Sequence, residues 1–321
     1  SDYKVLPGRY ISFPYRDFTI HTLAAPAGGG LVAKAMMLLS NFDMGSLDDA
    51  RWATIVSQAL SISIESMSSD YYEANLTELV DPTWAEQQSK RISMPLLRQK
   101  MAILAPDNSS PSSTDWIGSP GGHTSHFVTA DCNGLTVSMT QTIGPIFGAK
   151  VATPELGFAY AATMGGYLRT GLQNPGERPR TSIAPVIVTQ QNKVVMALGA
   201  AGGIRIPSAI VQTLSRYIDQ GKNLSEAIRA PRIHPLATID KNNKRVIDLR
   251  AFDAEMSQPK WSKSEIIYWR NAGFKVTKIT ENASFGRVHA IAEQAGKLLG
   301  VADPDWEGTS SEPVKCSKEF N

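Results

Sequence analysis

A run rich in Ser, Pro, Asn and Gly occupies residues 106–122 and leads within a few residues into an apolar alternation. The alternating residues, 127–130, are typical of a strand with one buried face, whereas the preceding run is typical of a linker. The chain therefore passes from a linker straight into a core strand. We expect that strand to begin at about Thr124, which limits how the two halves of the chain can pack together.

Thr124 has a particular chemistry at such a junction. If the His123–Thr124 peptide bond is cleaved, Thr124 gains a free α-amine next to its own hydroxyl. An α-amine has a pKa of about 7.7–8.0, so a useful fraction is unprotonated at neutral pH. That amine can take the hydroxyl proton and so activate the oxygen as a nucleophile. The alternative is an ordinary strand threonine, and the downstream sequence has to decide between them.

Hydrophobic periodicity predicts alternating groups of helices and strands. Asn133-Gly134 predicts a hairpin between residues 127–130 and 135–142. The further predicted strands are 14–25 (extended), 158–162, 182–189, 194–199, 288–291 and 298–302, and the predicted helices are 48–67 with Asp48 as the cap, 83–104, 206–218, 224–229 and 262–272. Strands, then helices, then strands favour a layered α/β/β/α sandwich.

Two glycine-rich turns precede predicted helices. Gly28-Gly29-Gly30 indicates a helix N-terminus that other backbone or a ligand approaches closely. This turn lacks the Lys-Ser/Thr of a phosphate-binding loop, which argues against nucleotide binding. Gly202-Gly203 also stands at the start of a helix, where backbone N–H groups and the helix dipole can stabilise a negative oxygen.

Composition excludes several classes of function. A net charge of +2 gives no reason to expect nucleic acid, and no run approaches a membrane span. The five histidines are scattered, so neither a metal nor another cofactor is expected. The two cysteines, Cys132 and Cys316, either form one disulfide or are buried thiols. Four glycosylation sequons, at Asn75, Asn108, Asn223 and Asn282, favour a secretory route slightly over the cytoplasm.

Several short sequence blocks follow one another in the order and with the spacing of a known protein family. They are Ala25–Gly30, Thr124-Ser125-His126-Phe127, residues 137–142, Arg178-Pro179-Arg180-Thr181-Ser182-Ile183-Ala184-Pro185, Gly199-Ala200-Ala201-Gly202-Gly203-Ile204-Arg205-Ile206, and residues 230–234. With these blocks the sequence resembles the gamma-glutamyltransferase (gamma-glutamyltranspeptidase) family of N-terminal-nucleophile hydrolases over essentially its whole length. The resemblance implies one four-layer αββα domain. Residues 1–123, with the linker 106–122, would correspond to the C-terminal part of the family's large subunit, and residues 124–321 to its small catalytic subunit.

The resemblance also implies roles for individual residues. The chain would be a zymogen that cleaves itself between His123 and Thr124 and then transfers acyl groups through Thr124. Thr142 corresponds to the family position that hydrogen-bonds the nucleophile. Gly202 and Gly203 correspond to the oxyanion-binding pair. Thr181 and Ser182 correspond to the serines that line the pocket for the substrate α-carboxylate.

The substrate-binding positions depart from the family pattern. Thr163 and Gly166 stand where the family has the glutamine and the last aspartate that hold the glutamyl α-amine, and Gly144 replaces an asparagine. An ammonium group bound without its carboxylate would be buried and unpaired, which costs several kcal/mol. We therefore expect an acyl group without an α-amine, such as an oxo-amide, a dicarboxylic half-amide or a bulkier apolar chain.

Three other residues have both a functional and a structural interpretation. His126 either orients the site or is a hydrogen-bonded structural histidine, whereas Arg205 and Arg232 are predicted to be ion-pair partners rather than ligands. The overall alternatives are a true γ-glutamyl transferase or glutathione hydrolase, and an inactive paralogue with a binding or structural role. The partners expected are a small amide or peptide substrate, the two fragments of the cleaved chain and a missing part of the large subunit. The chain would then be either a fragment or a shortened paralogue.

Overall fold

The computed structural model describes residues 4–5, 7–67, 75–94, 124–163, 181–239, 245–257, 260–294, 296–305 and 308–311. The linker 106–122, His123, Gly166 and Cys316 lie outside these ranges. The described residues form a mixture of helices and sheets, in agreement with the α/β prediction. None of the described helices is long and apolar enough to cross a bilayer.

The central element is a six-stranded antiparallel sheet with the strand order β1-β2-β7-β8-β12-β13. Its strands are β1 (Tyr10–Tyr15), β2 (Phe18–Leu23), β7 (Val186–Gln190), β8 (Lys193–Ala201), β12 (Arg287–Gln294) and β13 (Lys297–Ala302). The predicted 182–199 hairpin is confirmed as β7–β8, and the predicted strands near the C-terminus are confirmed as β12–β13.

The two faces of this sheet have different partners because side chains alternate along a strand. Met196, Leu198 and Ala200 of β8 point into an apolar core that also contains residues of three helices. These helices are α1 (Gly29–Leu39), α2 (Asp49–Ser66) and α4 (Ile206–Ile218). Gly199 of β8 and His289 of β12 point the other way, where a second layer lies.

The second layer is the hairpin of β3 (Thr124–Ala130) and β4 (Thr136–Thr142). Its turn contains Gly134 at φ +89°, as the Asn-Gly dipeptide predicts. The Ser138 hydroxyl donates to the Leu198 carbonyl over 3.0 Å and so joins the hairpin to β8. Helices, sheet and hairpin make three layers of the expected four; the fourth is not among the described residues.

Two predicted helices meet different outcomes. Asp48 caps α2 by accepting from the Arg51 N–H at 2.8 Å, and the helix ends at Ser66, as expected. The helix predicted over 83–104 is wrong in extent, because α3 (Pro82–Ser89) ends before residue 90 and residues 91–94 are not helical. Gln58 of α2 exchanges two hydrogen bonds with the Ser93 backbone and draws the chain out of the helical path.

A three-stranded sheet was not predicted from the sequence. It consists of β9 (Ile233–Ile239), β10 (Arg245–Glu255) and β11 (Lys275–Ile279), with α6 (Lys263–Asn271) connecting the parallel pair β10 and β11. Helix α5 (Leu224–Arg229) precedes it, and the strand predicted at 158–162 is reduced to β6 (Phe158–Ala159), which pairs with β5 (Ala152–Thr153). This sheet lies beside α2.

Candidate active site

Thr124 is the first residue of β3 and lies directly opposite Thr142, the last residue of β4. Both side chains are half-buried. Alternation places Thr124 on the same face of the hairpin as the buried His126, whereas Ser125 and Phe127 are exposed on the other face. The Thr124 side chain therefore lies on the face that packs on the six-stranded sheet, and Thr142 is its neighbour on the adjacent strand.

Thr142 is connected to two of the predicted substrate-binding positions. The Gly144 N–H donates to Thr142 Oγ1 over 3.0 Å, and Gly144 has a φ of +88°. A Cβ at Gly144 would lie 3.1 Å from the Ala162 carbonyl carbon and 3.2 Å from the Thr163 nitrogen. Thr142, Gly144 and Thr163 thus form one group beside Thr124, while Gly166 lies outside the described residues.

Gly202 and Gly203 form the turn between β8 and α4. Their φ values of +138° and +58° are accessible to glycine and strained for other residues. A Cβ at Gly202 would lie 2.7 Å from the Gly286 Cα, so this side of the turn is closely packed. A Cβ at Gly203 would meet nothing within 4 Å, so the other side borders open space that a ligand can enter.

Thr181 and Ser182 are fixed against the turn that precedes α1. The Thr181 N–H donates to the Pro26 carbonyl at 2.9 Å, and the Gly28 N–H donates to the Ile183 carbonyl at 2.8 Å. A Cβ at Gly28 would lie 2.6 Å from the Ser182 carbonyl oxygen. The close backbone approach predicted for this glycine turn is confirmed, and its partner is the Thr181–Ser182 segment.

These groups converge on one end of the sheet. Thr181 and Ser182 precede β7, whose start pairs antiparallel with the end of β8, where Gly202 follows. Across the layer, Ser138 contacts Leu198 and the His126 ring lies against Gly199. From these contacts, the hairpin continues to the Thr124–Thr142 pair at its open end. On the same side, β8 continues to Gly202. The chain topology therefore directs the predicted catalytic and pocket residues towards a common region.

His126 is a structural histidine at the interface between the layers. Its Nδ1 is 2.8 Å from Thr140 Oγ1, and its carbonyl accepts from His289 Nδ1 at 2.9 Å. Burial, and secondarily the nearby His289, lowers the pKa of His126 to about 3. The imidazole is therefore neutral at physiological pH, which fits a packing role.

Arg205 and Arg232 form ion pairs, as predicted. Arg205 Nη2 is 2.7 Å from Asp253 Oδ2, and Arg232 Nη2 is 2.5 Å from Asp303 Oδ2. Sequence reasoning did not identify the partners, because Asp253 belongs to an unpredicted strand and Asp303 follows β13. No local signal connects either aspartate to its arginine.

Within the described ranges, no group of three or more His, Cys, Asp and Glu side chains is arranged to hold a metal ion. Cys132 is disulfide-bonded. The chain has one other cysteine, Cys316, which lies outside the described residues.

Known proteins share sequence similarity with most of this chain. The family model described as Gamma-glutamyltranspeptidase matches residues 1–312. A glutathione hydrolase proenzyme of Pseudomonas sp. (strain A14) is 30% identical over 251 residues, covering 72% of this chain and 43% of its own length. An Acylase ACY 1 proenzyme of Pseudomonas sp. (strain V22) is 27% identical over 245 residues, covering 73% of this chain and 42% of its own length.

A solved structure has a similar fold. The cephalosporin acylase of Bacillus halodurans superimposes with a TM-score of 0.71 at 19% identity, over 94% of this chain and 53% of its own. The chain thus spans about half the length of the relatives it matches.

Proposed function

Because this chain belongs to the gamma-glutamyltranspeptidase family, we propose that it supplies the catalytic half of a self-cleaving threonine amidohydrolase or acyltransferase. The observation that carries the proposal is the position of Thr124 at the start of β3, opposite Thr142 and on the hairpin face that looks towards the sheet. The names of the relatives, glutathione hydrolase proenzyme and acylase proenzyme, agree with such an activity.

The first proposed step is maturation. Hydrolysis of the His123–Thr124 bond consumes one water and leaves a carboxylate on His123 and an α-amine on Thr124. The product consists of two fragments, residues 1–123 and 124–321.

The second step is acyl transfer. The Thr124 amine takes the hydroxyl proton while the oxygen bonds to the substrate carbonyl carbon. The carbon–nitrogen bond then breaks, and the leaving nitrogen receives that proton. Water or an acceptor amine attacks the resulting ester, releases the acyl group and restores the Thr124 hydroxyl. Thr142 would hold the Thr124 oxygen in position across the strand pair.

The negative oxygen of each tetrahedral intermediate requires hydrogen-bond donors. Gly202 and Gly203 supply backbone N–H groups at a turn bordered by open space on the Gly203 side. Removing a single donor of this kind costs about 10²–10³ in kcat in a well-studied protease. The turn therefore has to keep both N–H groups pointing at the position of the negative oxygen.

We further propose an acyl donor without an α-amine. Thr163 lies beside Gly144 and Thr142, so the position that would carry an amide in the family pattern carries a short hydroxyl. Gly166 offers no carboxylate at the second anchor position. A dicarboxylic half-amide retains the carboxylate, for which Thr181 and Ser182 are available, and needs no anion for an amine.

A matched pair of chromogenic amides tests this specificity. Glutaryl-p-nitroanilide and γ-glutamyl-p-nitroanilide differ only in the α-amine, and each releases p-nitroaniline on acyl transfer. We expect the glutaryl compound to have the higher kcat/KM and to leave an acyl adduct on the 124–321 fragment by intact mass spectrometry. Thr124→Ala is the control, and it should give neither cleavage nor adduct.

The alternative functions give different results in the same experiment. Faster turnover of the γ-glutamyl compound would identify a true glutathione hydrolase, which the names of several relatives favour. An intact chain without an adduct, in a preparation that also contains the polypeptide proposed below, would identify an inactive paralogue.

We propose that additional polypeptide covers the outer hairpin face, which comprises Phe127, Val137 and Met139. Phe127 and Met139 are 41% and 43% exposed although they lie beside each other on adjacent strands. The neighbouring segment adds further exposed apolar side chains: Ile146, Phe147, Val151, Leu156 and Phe158. Exposed apolar surface of this extent is typical of an interface. The relatives contain about twice the length of this chain, enough for the fourth layer of the αββα sandwich.

We also propose a secretory location. A disulfide at Cys132 is typical of an oxidising compartment. Three of the four sequon asparagines, Asn75, Asn223 and Asn282, are exposed, so glycosylation would not disturb the core. Treatment of the protein from its native source with a peptide N-glycosidase should lower its mass, and an unchanged mass would contradict the proposal.

A further inference from the structure

The Gly202–Gly203 turn is held by the side chain of the residue that ends it. The turn closes on itself where the Arg205 N–H donates to the Gly202 carbonyl at 3.1 Å. Helix α4 begins immediately afterwards at Ile206. A change in the position of the Arg205 side chain should therefore also move the Gly202 and Gly203 amides, because one short turn of backbone connects them.

The Arg205 guanidinium is bound from two directions. Nη2 lies 2.7 Å from Asp253 Oδ2 on β10, and Nη1 donates to the Ser284 carbonyl at 2.8 Å. The guanidinium carbon also lies 4.7 Å from the centre of the Phe285 ring. Since the side chain is largely buried, these contacts are protected from water, and an arginine fork is the group that can make them together.

The segment that binds Arg205 also contacts Gly202. Gly286 follows Ser284 and Phe285, and a Cβ at Gly202 would lie 2.7 Å from its Cα. A Cβ at Gly286 would in turn lie 2.7 Å from the Ala209 Cβ and 2.9 Å from the Arg205 carbonyl oxygen. Residues 284–286 thus contact the turn twice: Gly286 packs against the Gly202 backbone, and the Ser284 carbonyl binds the Arg205 side chain.

We propose that Arg205 is a positioning residue for acyl transfer, which sets the direction of the Gly202 and Gly203 amides by anchoring their turn to Asp253 and Ser284. This inference rests on the proposed function for the role of those amides. It assigns to the Arg205–Asp253 pair an effect on the rate, in addition to its contribution to the fold. Arg205 itself does not contact the substrate.

The surroundings of Asp253 make the pair sensitive to acid. His234 of β9 and Thr277 of β11 pair with Asp253 in register, and Arg205 approaches from the turn. Glu255 on the same strand and Glu281 after β11 also act on Arg205, and His234 remains neutral because burial and Arg205 lower its pKa. Burial raises the pKa of Asp253 to about 6, against the opposing effect of Arg205. The Asp253 carboxylate is therefore charged only above about this pH.

Because the pKa of Asp253 is raised, its protonation should affect the acyl-transfer rate and the stability of the fold differently. The folded protein binds the Asp253 proton more tightly than the unfolded chain does, so protonation below pH 6 does not destabilise the fold through this group. It does remove the charge that holds Arg205. The acyl-transfer rate already falls below about pH 7.7 as the Thr124 amine is protonated. It should fall more steeply below about pH 6, without a matching fall in the thermal midpoint from Asp253.

Three variants of the full chain test the proposal: Arg205→Met, Arg205→Lys and Asp253→Asn. Arg91→Met is the matched control, because Arg91 pairs with Glu65 at an exposed site on other elements. We expect Arg205→Met to lower kcat roughly 10²-fold, the loss typical of a misplaced oxyanion donor, with KM changed less than about twofold. Arg205→Lys should recover part of the rate. Asp253→Asn should lower the rate at neutral pH and remove only the steeper part of the fall below about pH 6, because the Thr124 amine still titrates.

A second measurement does not depend on turnover. Residual dipolar couplings of ¹⁵N-labelled glycines report the directions of the Gly202 and Gly203 N–H bonds. We expect these two couplings to change in Arg205→Met while those of distant glycines, such as Gly134, stay the same. If the wild-type chain has no activity even together with the additional polypeptide proposed above, the proposed function fails, yet the couplings still test whether Arg205 sets the turn.

Two results would overturn the proposal. One is an Arg205→Met protein with wild-type kcat, pH profile and glycine couplings. The other is a loss of activity that only follows a loss of folded protein, with unchanged couplings in the fraction that remains folded.

Discussion

The ring of His126 occupies the space that a side chain at position 199 would need. A Cβ at Gly199 would lie 2.3 Å from His126 Cε1 and 2.5 Å from Nδ1. The ring cannot move away easily, because it is buried and its Nδ1 interacts with Thr140 at 2.8 Å. Glycine at position 199 is therefore required so that the hairpin carrying Thr124 can lie flat on β8.

Gly199→Ala should destabilise the protein by separating these two layers. Overpacking of a rigid core typically costs about 1–3 kcal/mol, which denaturant unfolding can measure. His126→Ala combined with Gly199→Ala should be no less stable than His126→Ala alone, because the ring is then absent. If the double variant loses as much stability as the two single variants together, the ring and position 199 do not interact.

His126 should contribute a loss of stability in mild acid. Its pKa is lowered to about 3 in the folded protein, so the unfolded chain binds the proton more tightly between that value and the ordinary pKa of about 6.5. The stabilisation is complete above about pH 6.5 and is lost as the pH falls towards 3, by up to about 1.4 kcal/mol per pH unit.

Denaturant unfolding at pH 7 and pH 5 measures this loss. His126→Asn, which keeps a polar atom near Nδ1, should reduce the difference between the two pH values. Other groups set the remaining difference. Burial lowers the pKa of His234 well below its ordinary value, which adds to the loss, whereas burial raises the pKa of Asp253 to about 6 and of Glu255 to about 7, which opposes it. An unchanged difference in His126→Asn would assign the whole effect to other groups.

The two glycines of the Gly202–Gly203 turn should respond differently to alanine. Gly203→Ala meets no atom within 4 Å, so its cost is the strain at φ +58°, about 1–3 kcal/mol. Its methyl group would enter the open space beside the turn, and we expect a folded protein with a reduced acyl-transfer rate. Gly202→Ala would also press on the Gly286 Cα and should lose more stability. A Gly203→Ala protein with full activity would remove Gly203 from the proposed site.

Restoring both family anchors should change the substrate preference. Thr163→Gln with Gly166→Asp supplies the amide and the carboxylate expected to hold an α-amine. A new ion pair of this kind should raise the ratio of kcat/KM for γ-glutamyl- over glutaryl-p-nitroanilide by about 10- to 100-fold, corresponding to roughly 1.4–2.7 kcal/mol. Thr163→Asn with Gly166→Ser is the matched control without the charge, and an equal ratio in both variants would contradict the role of the carboxylate.

The outer hairpin face should make the isolated chain associate. Sedimentation velocity should detect concentration-dependent self-association of residues 1–321, because Phe127, Val137 and Met139 expose apolar surface side by side. Phe127→Ser with Met139→Ser should reduce it, while Val246→Ser, at an exposed site on another sheet, should not. A wild-type chain that remains monomeric at high concentration would argue against a partner at this face.

The accuracy of sequence reasoning followed the range of the interactions involved. The Asn133-Gly134 hairpin and the Asp48 cap were predicted because each depends on a few consecutive residues. The start of a strand at Thr124 was predicted from the change from linker composition to apolar alternation. The end of α3 was predicted wrongly, because Gln58 of α2, far away in the chain, determines where that helix stops.

By itself, the sequence determined the Asn-Gly hairpin, the strands on either side of residues 190–193, the Asp48 helix cap, the glycine turns and the family motifs, since local backbone preferences and motif order are written in adjacent residues. Only the tertiary structure decided that the hairpin lies over β8, that Arg205 binds Asp253 and that the outer hairpin face is exposed. These features depend on which surfaces meet when apolar area is buried. Alternation along a strand says which residues share a face, but it does not say which other element covers that face.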